Sequence, residues 1–371
     1  MRQLLEHVAE DDYRASARSL EICGNSISPA TTGRILLREG EVLATELYGP
    51  EATLAAAQHV AANPPELLIG TGDGSRYRTN EADRKRGAAK KRTSGAAKKT
   101  KSAAKPGGSS ALSDEERDRG WRENKIGLIV RAERGGYEPD GTYRPPRELV
   151  KTYVATTNPI DAFGRFLRTE LDRRGGQHCL EFVWVSDNGH GLPEMRAREF
   201  PEAHVITDFY HTAARLAECA KVITGTRPAC ERQRKKLWHS LRGKLWHGQV
   251  DKLITVLTEE AVRRAPRPAH LTDLAEQPDA QTLWTHVCYL EKYQESMDYP
   301  LYRARGWPLG SGTAESGCGQ FGNRFKHNRM RWTRRTADAG HHIKAAILSQ
   351  DDRWSRRWPP PIPVLDFLVA S

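Results

Sequence analysis

The sequence has no two cysteines in the Cys-x-x-Cys spacing, although it contains six cysteines in 371 residues. Zinc ribbons and thioredoxin-like redox sites both use that spacing, so we expect neither. A reduced protein with inert thiols is expected instead. No run of 18 apolar residues occurs, which predicts no membrane-spanning helix. The first residues lead into acidic positions without a long apolar stretch, which is not the pattern of a secretory signal.

Positive charge is what the sequence has in excess, with 58 Lys and Arg against 47 Asp and Glu and a formal net charge of +11. Three basic strips carry it, at residues 81–110, 229–250 and 321–335, and the remainder of the chain is acidic. Such strips favour a polyanionic partner, nucleic acid first. The strip 81–110 is rich in Ala, Lys, Gly and Ser and has no large apolar residue, so we predict that it is disordered.

The N-terminal 65 residues have a helical pattern. Apolar spacing predicts one helix over residues 1–21 and another over 50–62. Between these two, Ser28 and Pro29 form an N-cap and first-turn pair that opens a further helix. It is expected to run through Leu37 and to be stopped by Gly40. The sequence leaves two roles open for this region: a DNA-binding unit and a simple helical cap.

Strands dominate the next part of the chain. Apolar runs predict five strands, at 66–78, 125–131, 149–155, 180–185 and 203–208. An amphipathic helix over 159–174 joins the third strand to the fourth, which should therefore run parallel to a neighbour. From 209 to about 300 the pattern is helical only. The order predicts an α/β fold around a mixed sheet, with an all-helical insertion and a small N-terminal helical region.

Three acids stand at the ends of predicted elements. Asp73 lies between two glycines after the first apolar run, Asp187 follows the fourth, and Glu315 is in the first turn of a helix announced by Gly310-Ser-Gly312. Carboxylates at strand ends face the crevice where α/β sheets bind ligands. Two divalent metals held by carboxylates can activate water and stabilise the leaving oxygen of a phosphodiester. Asp208 competes with Asp187 as the second metal ligand, and we prefer Asp187 for its Ser-Asp-Asn-Gly setting.

Two stretches resemble motifs of a known family. The first runs from Trp184-Val-Ser-Asp187-Asn-Gly through Phe200-Pro201 to Asp208-Phe-Tyr-His211. The second runs from Pro308-Leu-Gly-Ser-Gly-Thr-Ala-Glu315-Ser through Arg324-Phe-Lys326 to Met330-Arg-Trp332. Together they resemble the DDE transposases of bacterial insertion sequences, most of all the Kra-type group within the Mutator-like grouping. The resemblance covers about residues 66–358.

The resemblance implies a ribonuclease-H-like core that catalyses metal-dependent cleavage and strand transfer of transposon DNA. Asp73, Asp187 and Glu315 would be the catalytic acids and would hold Mg²⁺, or Mn²⁺ in its place. His211 matches the family's histidine, either as a contact to DNA or the scissile phosphate or as a residue that orients Asp208. Six residues of the basic C-terminal strip are expected to bind DNA: Arg324, Lys326, Arg331, Trp332, Arg334 and Arg335. For Trp332 the alternative to DNA binding is a position in the hydrophobic core.

The expected organisation has five parts. They are an N-terminal helical region at 1–65, a catalytic core at 66–78 and 119–210, a basic linker at 79–118, a helical insertion at 211–305, and a C-terminal part of the core at 306–371. The expected partners are transposon ends, target DNA and further copies of the chain, in the bacterial cytoplasm at the nucleoid and without a membrane. Two other functions stay open, a structure-selective nuclease on the same core and an inactive, domesticated DNA-binding protein. Cys23 stands alone where the family usually has a cysteine-rich zinc segment, so the recognition of transposon ends is unassigned.

Overall fold

A computed structural model describes residues 1–22, 27–80, 113, 116–117, 120–189, 191–326 and 332–360. The predicted basic linker at 79–118 therefore lies almost entirely outside the described residues. Within the described ranges no helix combines the length and the apolar character that crossing a membrane requires.

A five-stranded mixed sheet forms the centre of the fold. Its strands are β1 (Leu67–Arg78), β2 (Trp121–Glu133), β5 (Arg147–Thr156), β6 (Glu181–Ser186) and β7 (His204–Thr207), and a short hairpin of β3 (Gly136–Tyr137) and β4 (Tyr143–Arg144) stands apart from it. The spatial order is β5-β2-β1-β6-β7. Strand β2 is antiparallel to both β1 and β5, whereas β6 is parallel to β1 and β7. The mixed α/β sheet and the parallel fourth strand are confirmed, while the small hairpin was not predicted.

Helices cover both faces of the sheet. On one face, α5 (Ile160–Arg173) and α6 (Leu192–Glu199) bury a cluster around Phe163, Leu167 and Trp184. On the other face lie α12 (Gly312–Phe325) and α13 (Arg334–Leu348), followed by the short α14 (Arg353–Arg357). Between β7 and α12 the described chain is helical, as predicted. This segment contains α7 (Phe209–Thr224), α8 (Glu231–Trp246), α9 (Val250–Val262), α10 (Pro278–Tyr293) and α11 (Tyr299–Ala304).

The N-terminal region consists of α1 (Arg2–Glu10), α2 (Tyr13–Ile22), α3 (Pro29–Tyr48) and α4 (Pro50–Ala57). The single helix predicted over 1–21 is wrong, because the chain is extended at Asp11. Ser28 does cap α3, since its side chain accepts the backbone N–H of Thr31. Apolar residues of α1 and α3 belong to the same buried cluster as β1 and α13. The region is thus packed into the core of the sheet domain.

Gly40 does not end its helix, and this prediction is also wrong. Helix α3 continues through it to Tyr48. A Cβ atom at Gly40 would lie 2.5 Å from the carbonyl oxygen of Ala339 and 2.6 Å from its Cβ. The glycine therefore lets α3 and α13 approach closely, and tertiary contact outweighs its poor helix propensity.

Candidate active site

Asp73 in β1 and Asp187, the residue that follows β6, lie close enough for their charges to interact. The parallel pairing of β1 with β6 ends at Thr71 opposite Val185, and two further residues along each chain reach the two aspartates. The sequence suggested that Asp73 ends its strand. This is wrong, because β1 goes on to Arg78 in partnership with β2. Asp73 lies instead where β6 has diverged from β1. The edge of the parallel pairing thus presents two carboxylates together.

The two aspartates share one electrostatic environment. Burial raises the pKa of Asp73, and the negative charge of Asp187 raises it further, against the effect of the Gly74 N–H, which donates to Asp73 Oδ1 at 2.6 Å. Asp187 Oδ1 accepts the Gly189 N–H at 2.8 Å. Asn188, which lies between Asp187 and Gly189, has φ of 60°, the left-handed conformation that asparagine tolerates. Two carboxylates that repel each other at a partly exposed edge form a suitable site for a cation.

Glu315 comes to this region from the opposite end of the sequence. It lies in the first turn of α12, and its side chain is 52% exposed. Its Oε1 is 3.4 Å from Nδ1 of His211, which lies in the first turn of α7. The charges of both Asp187 and Glu315 act on His211. The fold therefore brings all four predicted catalytic residues into one region.

Asp208 has a different surrounding from Asp187. Its side chain is 1% exposed and it caps α7, accepting the backbone N–H of His211 at 2.9 Å. It also accepts the N–H and the O–H of Ser311, each at 2.6 Å. Burial opposes these donors, but together they lower the pKa of Asp208. The carboxylate holds the start of α12 against the end of β7, so it already has a structural task.

His211 lies among carboxylates. Its Nδ1 is 3.4 Å from Asp208 Oδ2, and this neighbour, with smaller effects from Asp187 and Glu315, raises the pKa of His211 to about 9 against the effect of burial. Nδ1 is buried without a well-aligned hydrogen bond to either carboxylate. Both roles proposed for this residue from the sequence are compatible with its place between Asp208 and Glu315.

Asp208, His211 and Glu315 form the one group among the described residues whose potential metal ligands all lie within 4.8 Å of one another. Asp208 already accepts three hydrogen bonds within the fold. Asp187 accepts one backbone N–H, and Asp73 accepts one backbone N–H and interacts with the Cys318 thiol. Asp73, Asp187 and Glu315 thus offer carboxylate oxygens, the ligand type that a hard divalent cation prefers.

Cys318 connects the helix of Glu315 with Asp73. It was not predicted as a residue of the site, because all cysteines were interpreted as inert thiols. It follows Glu315 by three residues and so lies on the same face of α12. Burial raises the pKa of its thiol, and the nearby charge of Asp73 raises it further. The i, i+3 spacing of Glu315 and Cys318 is the signal that could have identified it.

The basic strip at 321–335 is divided between core and surface. Arg324 is 1% exposed, donates to the carbonyl of Val8 at 2.7 Å, and lies over the ring of Trp332 at 4.3 Å. Trp332 itself is 4% exposed and meets Tyr13 edge-on. Their placement does not fit the predicted contact with DNA, because both side chains pack α12 against the N-terminal helices. Lys326, Arg334 and Arg335 are exposed, and Arg331 lies outside the described residues.

Basic residues occur at two further places. Helix α8 exposes Arg232, Lys235, Lys236 and His239, in the strip 229–250 to which the sequence assigned no site residue. Lys125 lines a small pocket with Asp73 and also a groove of about 820 Å³ that reaches Arg334 and Arg335. Arg335 pairs there with Glu41, with Nη2 to Oε2 at 2.8 Å. The groove thus runs from Lys125 to the exposed Arg334 and Arg335.

No protein-family model matches the chain, and no curated protein is a significant match to it.

Proposed function

We propose that this chain is a DDE-type DNA transposase on a ribonuclease-H-like core, which cleaves transposon DNA and joins it to a target with the aid of Mg²⁺. The observation that carries the proposal is the meeting of Asp73 and Asp187 from adjacent parallel strands with Glu315 from a helix far along the chain. The strand order and the helical segment between β7 and α12 agree with the fold that the motif resemblance implies.

Asp73, Asp187 and Glu315 are the side chains that would hold the metal ions. When bound there, divalent metals lower the pKa of water or of a DNA 3′-hydroxyl and stabilise the departing oxygen. The side chains need form no covalent bond to DNA, because the phosphoryl group passes directly between oxygens. Their task is to fix positions, and the closely held end of α12 serves that task through Asp208 and Ser311.

His211 contributes a positive charge beside these acids. Since its pKa is raised to about 9, the imidazolium persists through the neutral range. It can hold the Glu315 carboxylate in place from one side and attract a phosphate oxygen from the other. The attraction to a phosphate oxygen is the first of the two roles that the sequence left open.

The exposed cations offer a path for the DNA backbone. Lys125 lines the groove that contains Arg334 and Arg335, and it also lines a small pocket with Asp73. Helix α8 adds a second basic surface along the helical insertion. Phosphate contacts of this kind give sequence-independent affinity that falls as salt rises. We propose further copies of the chain as partners, since transposition joins two ends.

The test replaces Glu315 by Gln in the full chain and follows Mg²⁺-dependent cleavage and plasmid integration. Glu315→Gln should keep DNA binding and lose cleavage by about a hundredfold or more, because one metal-binding charge is removed without a change in shape. Glu276→Gln, at an exposed glutamate of the insertion, is the matched control and should cleave like the wild type.

Two results would contradict the proposal. Wild-type activity in Glu315→Gln would remove Glu315 from the catalytic set. Cleavage by the wild type without any joined product in the integration assay would instead identify a nuclease on the same core.

A further inference from the structure

Tyr210 is a large aromatic residue left open at the edge of the candidate site. It directly precedes His211 in the first turn of α7, and 62% of its surface is exposed. Most aromatic side chains in the described part of the chain are buried or half-buried; Tyr137, at 54%, is the other large exposed ring. An exposed ring between His211 and the buried Asp208 in the sequence calls for a physical reason.

The ring of Tyr210 is exposed but held in place. It meets Phe209 edge-on, with ring centroids 5.5 Å apart and planes at 85°. It also lies on the backbone of Gly310, where a Cβ atom would be 2.5 Å from its Cδ2. Gly310 precedes Ser311, whose bonds to Asp208 fix the start of the Glu315 helix. The position of the ring is therefore tied to the same contacts that position the acids.

Tyr137 has a structural explanation that Tyr210 lacks. The hydroxyl of Tyr137 accepts a hydrogen bond from Arg303 Nε at 2.8 Å, and its ring packs edge-on against Tyr143. Among the described residues, the hydroxyl of Tyr210 has no hydrogen-bond partner. The Tyr210 ring thus packs on Phe209 and Gly310, makes no hydrogen bond through its hydroxyl within the described residues, and is open to solvent. A ring with these properties can serve as a stacking platform.

We propose that Tyr210 stacks on a nucleobase next to the phosphate held at the acids. The inference rests on the proposed function, which supplies nucleic acid as the ligand. A base has an apolar face and lies within a few ångströms of its phosphate. The Tyr210 ring packs on Gly310, whose other neighbour is Oδ2 of Asp208, the oxygen that faces His211. Base–aromatic stacking of this kind tolerates any base, since every base has a π-face. Tyr210 is accordingly a positioning residue that orients an unpaired end.

The experiment compares two single-stranded probes of equal length, oligo(dT) and an abasic sugar-phosphate chain, at one fixed salt concentration. Affinities are measured by fluorescence anisotropy for the wild-type full chain, Tyr210→Ala, Tyr210→Phe and the control Tyr137→Ala. Tyr210→Ala should weaken oligo(dT) about tenfold and the abasic chain less than twofold, because only the first probe can stack. Tyr210→Phe keeps the ring and should match the wild type. Thermal melting of each variant establishes that it is folded.

Each other outcome has a defined meaning. If Tyr210→Ala weakens both probes equally, or neither, the stacking inference is wrong while the proposed function stands. If Tyr137→Ala has the same base-dependent loss, the effect is not particular to Tyr210 and the inference also fails. If the wild type binds no DNA of any kind, the proposed function itself is refuted.

Discussion

Replacement of Asp208 by Asn separates a structural carboxylate from a metal-binding one. The buried Asp208 side chain accepts three hydrogen bonds, two from Ser311 and one from the His211 N–H. An asparagine has one acceptor oxygen, so its NH₂ group must face an N–H donor on one side. Leaving buried donors without partners costs about 1–3 kcal/mol each, and the lost pairing with His211 adds to this. We expect Asp208→Asn to lower the free energy of unfolding by about 3–5 kcal/mol.

Asp187→Asn provides the matched comparison. Asp187 is half-buried and accepts one hydrogen bond, from the Gly189 N–H, which an asparagine oxygen can also accept. Its loss of stability should stay below about 1 kcal/mol. Since its charge is one of those proposed to hold metal, Asp187→Asn should bind Mn²⁺ much more weakly than the wild type does.

Urea unfolding and calorimetric titration with Mn²⁺ measure the two quantities on the same samples. The expected pattern is a strong loss of stability in Asp208→Asn and a strong loss of metal affinity in Asp187→Asn. The reverse pattern, with a stable Asp208→Asn that binds no Mn²⁺ and an Asp187→Asn that binds it normally, would refute the reasoning and make Asp208 the metal ligand.

Three further predictions concern packing, pH and DNA. Gly40→Ala should lower the free energy of unfolding by about 1–3 kcal/mol, and with it the thermal midpoint, because its Cβ would collide with Ala339. Gly243→Ala in α8 would place a Cβ where nothing lies within 4 Å and should raise the thermal midpoint. Equal shifts in the two variants would contradict the packing argument. Arg353 and Arg173 outweigh the effect of burial and hold the pKa of Glu170 at about 2. Because that pKa is depressed, the stabilisation is present above the usual carboxyl range and is lost as pH falls from about 4.5 towards 2, so urea midpoints of Glu170→Gln should be lower at neutral pH and should show less of this acid-side decline. Lys326→Ala should reduce the salt dependence of DNA binding by about one charge, while Arg324→Met should lower stability and leave that slope unchanged; a reduced slope in Arg324→Met would return Arg324 to the DNA surface.

Arg324 shows why a basic strip is an incomplete guide to a nucleic-acid surface. Burial lowers the pKa of its guanidinium to about 10, and the group is used to join α12 to the Val8 carbonyl and the Trp332 ring. Its neighbour Lys326, two residues on, is exposed. Charge counts treat both residues alike, because the side of a helix that another segment covers does not appear in composition.

The order of helices and strands was largely predictable because each element has its own local pattern. Alternating or continuous apolar runs indicated all five strands of the main sheet, and the crossover at α5 indicated that β6 is parallel to a neighbour. The break between α1 and α2 at Asp11 was not predicted, and neither was the continuation of α3 through Gly40. The break depends on a local cap, and the continuation depends on the contact with Ala339.

For the site, the sequence by itself determined which residues are acidic and which elements they follow. Asp73, Asp187 and Glu315 could be chosen from their positions beside strands and a helix start, and His211 from the motif resemblance. Only the tertiary structure decided how each is used, since hydrogen-bond donors from Ser311 occupy Asp208 while Asp187 keeps free lone pairs. The burial of Arg324 and the exposure of Tyr210 were decided in the same way, by segments distant in sequence that cover one side chain and leave the other open. Local patterns specify elements, and long-range packing specifies which surfaces remain for chemistry.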